Sequence, residues 1–471
     1  MYIYQELDGN ECIRQMFRIV NPNDKDYQNK RKIINSVIDI IFVVCIGIIY
    51  FEWSSHLMQS WAPDEGMRED VVYWIAKNGR LPIGDEKELI NPIWGFSYAF
   101  LPYLPSIIGA FYVKIISVFT SSEIAIFLAP RMVSVFAGMI TGGFALKIGK
   151  RIFHNRLSDY LFASFICLLP QFVFICSYFN NDSFSVMTTV IMLYFWICGM
   201  QDGWNKKNTI GLGVGIGMCA LTYYNAYGYI LCSIVFYVGS WIHKGKKIEW
   251  SKFWKFGLII AGVAIMFAGW YFIRNGIIYN GDFLGIQATR KCGEINAMEQ
   301  YKPSNRTNMY NQGKTIWDML TDGYWVKMLY SSFIGCFSFM SVLISDWYIH
   351  RYYAILLLGG IIGLIIMLVN KKTRLLCITL VLTMIIPIVL TIYNSYSADY
   401  QPQGRYVMSA LPGLGFCSAY GYDVISNKIP KWLGYILIIL LGLTWIHLLH
   451  GVYRDYINVY CWCNDIKQIL K

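Results

Sequence analysis

Apolar residues in this chain come in blocks of membrane length. They cover 33–50, 124–146, 157–178, 183–199, 209–223, 226–241, 256–272, 352–369, 375–393, 407–422 and 433–449. Each block is close to the roughly twenty residues that cross a bilayer as a helix, so the pattern predicts about eleven crossings. The loops between them hold clusters of cations: Lys30, Arg31 and Lys32; Lys147, Lys150, Arg151 and Arg156; Lys206 and Lys207; Lys244, Lys246, Lys247, Lys252 and Lys255; Lys371, Lys372 and Arg374; Lys428 and Lys431. With these spans every cluster falls on one face, and the positive-inside rule makes that face the cytoplasm. Two more apolar stretches, 93–119 and 324–344, look long enough to cross. Counting either as a span would throw a basic loop to the other side, and Pro102 and Pro105 interrupt the first. Both read as helices in, or dipping into, the outer leaflet.

The predicted fold is an all-α integral membrane protein. A cytoplasmic arm covers 1–32, the transmembrane domain covers 33–450, and a tail on the outer side covers 451–471. Two substantial loops lie outside, at about 52–125 and 274–351. Composition agrees: 56% of the 471 residues are hydrophobic and 15% are charged, against about a quarter charged in soluble proteins. The formal charge of +11 lies in short inter-span loops, where it sets topology, so nucleic acid is excluded as a partner. The run 33–50 is too long for a signal-peptide core and is expected to remain as an uncleaved first span. Most cysteines sit inside apolar runs as small apolar residues. Cys461 and Cys463 are too few and too close for a zinc site.

Candidate chemistry gathers at the outer ends of the spans. Trp61-Ala62-Pro63-Asp64-Glu65 follows the first span, placing two adjacent carboxylates just beyond a membrane exit. Asp182 follows Asn180 and Asn181 at a tight turn; Arg131, Arg274 and Arg405 lie near the outer ends of the second, seventh and tenth spans. Carboxylates can take a proton from a hydroxyl nucleophile. Arginines match phosphate oxygens with a planar fork of donors. Together the set describes a site for a phosphate-linked lipid and a hydroxyl acceptor. Plainer roles exist for each member: a helix start for Asp64, a turn for Asp182, interfacial anchors for the arginines. Asp39, inside the first span, reads as snorkelling or paired.

These residues resemble a known superfamily. The landmarks are Pro63-Asp64-Glu65; the stretch 91–119; Ala129-Pro130-Arg131; Pro170 followed by 177–182; Trp270-Tyr271 with Arg274-Asn275; Ser331-Ser332-Phe333; and Gly404-Arg405-Tyr406. In order and spacing they are similar to the GT-C membrane glycosyltransferases, which include the protein O-mannosyltransferases and the lipid A aminoarabinose transferases. The resemblance implies inverting transfer of a sugar from a polyprenyl-phosphate donor to a glycan, lipid or protein hydroxyl on the extracytoplasmic face. It assigns the base to Asp64, with Glu65 as second choice, and an orienting role to Asp182. Arg274 and Arg405, with Arg131, would hold the lipid phosphate, and Trp61, Asn181 and Tyr406 would line the substrate. Some relatives set a divalent metal between their acids; with few clustered acids and no His beside them, no metal or other cofactor is expected here. Two positions depart from the pattern. Close relatives often carry a His where this chain has Gly66-Met67-Arg68, and the turn Leu221-Thr222-Tyr223-Tyr224 lacks a Lys, leaving one phosphate contact unaccounted for. A lipid-linked sugar flippase or other transporter, and a wall-polysaccharide polymerase or ligase, are the alternatives. Transporters favour polar residues at mid-membrane and paired halves, whereas the spans here are apolar inside.

Overall fold

The computed structural model describes residues 25–58, 61–242, 248–306 and 308–458. The arm before residue 25, the tail beyond 458, and with them Cys461 and Cys463, lie outside the described residues, as do Lys244, Lys246 and Lys247.

All eleven predicted spans are helical. In chain order the helices are α1 (Lys25–His56), α2 (Glu65–Asn78), α3 (Leu104–Phe119), α4 (Glu123–Ile152), α5 (Arg156–Cys167), α6 (Pro170–Ser177), α7 (Asp182–Asp202), α8 (Lys206–Ala220) and α9 (Tyr227–Ile242). They continue with α10 (Trp250–Ile278), α11 (Ile286–Asn296), α12 (Ile316–Thr321), α13 (Tyr324–Ile334), α14 (Asp346–Val369), α15 (Arg374–Ser397), α16 (Leu411–Lys428) and α17 (Lys431–Val452). A two-stranded antiparallel hairpin, β1 (Cys336–Phe337) and β2 (Val342–Leu343), follows α13.

The count of crossings differs from the expectation. Among the described residues eight helices are long and apolar enough to cross a membrane, or nine if α5 and α6 form one bent span. Two of the predicted spans fall short: α8 has 15 residues, and α16 carries Ser418, Asp423 and Ser426. α16 is buried along most of its length, so protein rather than lipid solvates its polar groups. The bend of 64° between α5 and α6 falls at Pro170, which lacks an N–H and so starts a new helix more readily than it continues one.

Boundaries also differ. α1 begins at Lys25, inside the expected arm, and runs past Glu52 to His56, so the first loop begins later than position 52. α10 runs on to Ile278 and α14 starts at Asp346, shortening the second loop at both ends. The tail starts helical, with a π-helical turn over Tyr453–Ile457. Of the two stretches read as interfacial, the first holds the 16-residue helix α3, and the second is α13 and the hairpin.

Helix faces follow the apolar pattern. On α1, Ile46, Tyr50 and Trp53 are buried against the bundle, while Ile33, Ile40 and Ile48 point away from it. Such a two-sided apolar helix is what a lipid-facing span requires. α14 and α16 pack closely through glycine: a Cβ on Gly363 would stand 2.0 Å from the Cys417 carbonyl oxygen. Small residues of this kind let membrane helices approach backbone to backbone. At the lysine-rich end Asp39 is paired, accepting from Lys150 and, at 2.9 Å, from Arg156. The chemistry lies at the opposite end of α1.

Candidate active site

Asp64 and Glu65 are adjacent but serve different networks. Glu65 is the first residue of α2, whereas Asp64 precedes the helix in a left-handed conformation, so the two side chains leave the chain in different directions.

Glu65 meets Arg131. The Arg131 Nε and Nη2 donate to the two Glu65 carboxylate oxygens, each at 2.8 Å, and both side chains are fully buried. Arg131 Nη1 donates to the carbonyls of Ser54 (2.6 Å) and Leu57 (2.7 Å), and Nη2 also reaches the Met58 carbonyl (3.1 Å). Glu65 additionally accepts from the Phe179 backbone N–H at 2.9 Å. A guanidinium has five N–H groups, and all five are engaged. They satisfy carbonyls left open where α1 ends, at the negative pole of that helix. Arg131 and Glu65, expected at the phosphate and as second choice for the base, are placed together: a buried, hydrogen-bonded pair locks α2 to α4, and Arg131 ties both to the end of α1.

Asp64 belongs to a different kind of site. It is the residue before α2 and takes a left-handed conformation, φ 63°. Non-glycine residues rarely sit there, though Asp is among those that tolerate it. Its side chain does not cap α2. Instead Asp64 Oδ2 accepts from Arg405 Nη2 at 2.7 Å, across 341 residues of sequence. Arg405 is 4% exposed and the Asp64 side chain 29%, so the carboxylate faces an opening in an otherwise closed surround.

Arg405 is held firmly. Its Nε donates to Gln403 at 2.7 Å and its Nη2 to the Tyr406 hydroxyl at 3.2 Å; Tyr406 in turn donates to Gln401. The segment Gly404–Ala410 is a 3-10 helix pressed onto α13. A Cβ on Gly404 would lie 2.1 Å from the Phe333 nitrogen, and the Gly404 N–H donates to Ser332 Oγ at 2.8 Å. Glycine is therefore required just before the arginine, and the second loop buttresses the site through α13.

Asp182 opens α7 beside the same cluster. Asn180 shapes the turn before it, donating to the Ile175 (2.5 Å) and Tyr178 (2.8 Å) carbonyls and accepting from the Ser183 N–H (2.9 Å). Asn181 ties the turn to its surroundings, donating to the carbonyls of Pro102 (3.0 Å) and Thr222 (2.8 Å). Asp182 is 3% exposed and lies within electrostatic reach of Arg405, Arg68 and Asp64.

Sequence reasoning missed Arg68. Its guanidinium is 4% exposed, lies 3.9 Å over the Tyr98 ring and 5.8 Å from that of Tyr223, and acts on both Asp64 and Asp182. The signal was available: Arg68 is four residues after Asp64 and stands where close relatives often have His. Burial raises the cost of ionising Asp64, but Arg405 and Arg68 outweigh it and hold the carboxyl below the usual carboxylate range.

Two more expected residues go elsewhere. Arg274, near the end of α10, donates to the carbonyls of Pro82 (2.6 Å) and Leu81 (3.4 Å) and clamps the first loop rather than facing Asp64. Trp61 packs edge-on against Phe174, with ring centroids 6.5 Å apart. Tyr406 and Asn181 stand in or beside the cluster, as described.

A divalent cation fits poorly between these acids, because two guanidiniums already face them. Among the described residues no group of three or more His, Cys, Asp or Glu side chains is placed to hold a metal.

Comparisons with known proteins agree with this architecture. Residues 105–272 match the family model described as dolichyl-phosphate-mannose-protein mannosyltransferase. No curated protein sequence matches the chain. Among solved structures, the fold is similar to the archaeal oligosaccharyltransferase AglB from Archaeoglobus fulgidus in complex with an inhibitory peptide and a dolichol-phosphate. That match has TM-score 0.56 and 11% identity, and covers 89% of this chain and 55% of that one. It is also similar to ArnT from Cupriavidus metallidurans bound to undecaprenyl phosphate: TM-score 0.54, 12% identity, 89% of this chain and 72% of that one. The A. fulgidus oligosaccharyltransferase complex with Zn and sulfate gives TM-score 0.56 at 13% identity, covering 87% of this chain and 52% of that one. The chain thus spans about half the length of the oligosaccharyltransferase, and the likeness is one of fold.

Proposed function

We propose that this polytopic membrane protein, whose fold is similar to AglB and ArnT and whose residues 105–272 match the dolichyl-phosphate-mannose-protein mannosyltransferase model, is a GT-C glycosyltransferase that transfers a sugar from a polyprenyl-phosphate donor to a hydroxyl acceptor. The reaction takes place at the extracytoplasmic end of the bundle. One observation carries the reading: Asp64 and Arg405, far apart in sequence, meet at 2.7 Å, with the buried Asp182 within electrostatic reach of both.

The acceptor O–H approaches Asp64, which is ionised at neutral pH and can accept its proton. The acceptor oxygen bonds to the anomeric carbon as the bond from that carbon to the phosphate oxygen breaks. Attack from the face opposite the phosphate inverts the centre. The electron pair of the broken bond stays on the lipid phosphate, and Arg405 stabilises the charge that develops there. As the phosphate draws on Arg405, the hold of that arginine on Asp64 weakens and the carboxylate becomes the stronger base that proton transfer needs. Asp182, across the cluster, orients the acceptor. The polar groups concentrate at one end of an apolar bundle, which supports an enzyme over a transporter with a mid-membrane site.

The test uses purified full-length protein in nanodiscs with a panel of synthetic farnesyl-phosphate hexoses and pentoses and an outer-membrane-leaflet lipid extract as acceptor. Wild type should consume one donor and release farnesyl phosphate. Asp64→Asn should lose this activity while remaining folded, with a melting temperature lowered by the countercharge that Arg405 loses. Transfer that persists in the folded Asn variant would end the assignment of the base.

A further inference from the structure

Arg68 is a buried cation without a hydrogen-bond acceptor. Its guanidinium donates to no group among the described residues, and its Nε is fully enclosed. Leaving a buried charged donor unmade is costly. The neighbouring arginines show how this protein treats such groups elsewhere: Arg131 has every N–H engaged, and Arg405 has Gln403, Asp64 and Tyr406. Arg68 has only the face of Tyr98, 3.9 Å from the ring centroid, which holds the plane by cation–π contact and leaves the edge of the fork free. Arg405 is hydrogen-bonded to Asp64, one helical turn before Arg68, and Asp64 and Asp182 act on both arginines, so an anion at the fork meets two cations that it shares with two carboxylates.

We propose that Arg68 is the phosphate subsite of this chain: it takes the phosphate oxygens of an isoprenyl-phosphate headgroup, with Tyr98 as its backing plate and Arg405 as the second cation. This rests on the reading above that the donor ends in a lipid phosphate. It replaces Arg131 and Arg274, both committed to backbone carbonyls, and it supplies a phosphate contact from α2 itself. An arginine suits the task because its planar fork can give two parallel N–H bonds to one phosphate.

The experiment measures binding without sugar transfer. Farnesyl phosphate, farnesol and inorganic phosphate are titrated into the full-length protein in detergent and followed by calorimetry. Arg68→Gln should weaken farnesyl phosphate by about tenfold or more and leave farnesol unchanged; Arg68→Lys should recover part of the loss. Farnesyl phosphate binding at wild-type affinity in Arg68→Gln overturns the proposal. Inorganic phosphate should compete weakly in wild type and not at all in the Gln variant. If it binds as tightly as farnesyl phosphate, the site takes free phosphate and the lipid assignment falls.

Because Arg68 is buried, a second measurement starts from the native protein. Farnesyl phosphate should raise the melting temperature of the wild-type protein above the effect of farnesol, and that difference should vanish in Arg68→Gln. A difference that persists in the Gln variant would also overturn the proposal. Asp64→Asn should still bind farnesyl phosphate even where it transfers no sugar. Failure of the base and failure of the subsite are therefore read separately.

Discussion

Two networks meet at the start of α2, one residue apart, and they differ in how completely they are satisfied. Glu65 and Arg131 form a closed pair in which every guanidinium N–H has an acceptor. Asp64 faces an opening, Arg405 reaches it with one nitrogen, and Arg68 waits with no acceptor among the described residues. Both networks contain a carboxylate and an arginine at the same end of the bundle, so residue type does not separate them. Saturation does. Closed networks hold a fold together, and open ones are finished by a ligand.

The largest effect expected from breaking this contrast is on turnover. Asp64→Asn should lower the sugar-transfer rate per folded molecule by about 10²–10⁴, the range for a lost general base, and some stability goes with it because Arg405 loses its countercharge. The same exchange next door should act chiefly on stability. Glu65→Gln leaves Arg131 buried without its countercharge and should cost about 3–5 kcal/mol of stability. Activity per folded molecule should survive better than in the Asp64 variant. Replacing both partners, Glu65→Leu with Arg131→Met, removes the unpaired charge but should recover only part of that stability, because the Ser54, Leu57 and Met58 carbonyls and the Phe179 N–H lose their partners. Thermal unfolding of the three variants in nanodiscs checks this. A Glu65→Gln protein that keeps its stability but loses turnover would move the base to position 65.

A third effect is on pH. Asp64 is faced by Arg405 from the 3-10 segment, by Arg68 from α2, by Asp182 from α7 and by the Tyr98 phenol. The two arginines win, so its pKa lies below the usual carboxylate value of about 3.9. The wild-type kcat should therefore show no acid limb from this group above about pH 4. Removing one countercharge raises the pKa, so in Arg68→Gln the limb should move up. For stability the sign is that of a depressed acid: the Asp64 contribution is present above about pH 4 and is lost as pH falls through the lower folded value. A kcat profile for Arg68→Gln that overlays the wild type would show that Arg68 does not act on Asp64.

How much of this was legible before the structure varies by kind. The helices were, because membrane length and apolar content are written into consecutive residues: every predicted span is helical. Their ends were not, since Glu52 and His56 continue α1 into polar territory where composition alone says loop. Asp64, Asp182 and Arg405 were found because they share one membrane depth and a resemblance, and the structure brings them together. Arg131 shares that depth as well, and nothing in a sequence tells whether a guanidinium will meet backbone carbonyls or stay free. The left-handed turn at Asp64 explains why the two adjacent acids part company, and it too is invisible without coordinates. Arg68 lies one helical turn after Asp64, and the sequence does not tell that its guanidinium is buried against Tyr98.

The smallest expected effect is at Arg274, and it sharpens the contrast most. This arginine is intermediate between the two networks: Nη2 is bound to the Pro82 and Leu81 carbonyls, while Nη1 is buried with no hydrogen-bond partner. If an open N–H were enough to mark a ligand site, Arg274 would rank with Arg68. It differs in company. Arg68 shares Asp64 and Asp182 with Arg405, so an anion there meets two cations; among the described residues Arg274 is the one cation beside Tyr103 and Tyr279, which Glu86 also acts on, and it holds the loop carbonyls. Arg274→Gln should therefore change farnesyl phosphate affinity by less than about twofold, with a loss of roughly 1 kcal/mol in stability from the broken loop clamp. Calorimetry beside Arg68→Gln measures both under one condition. A tenfold loss at Arg274 would return it to the donor site and show that the first loop, not α2, carries the phosphate.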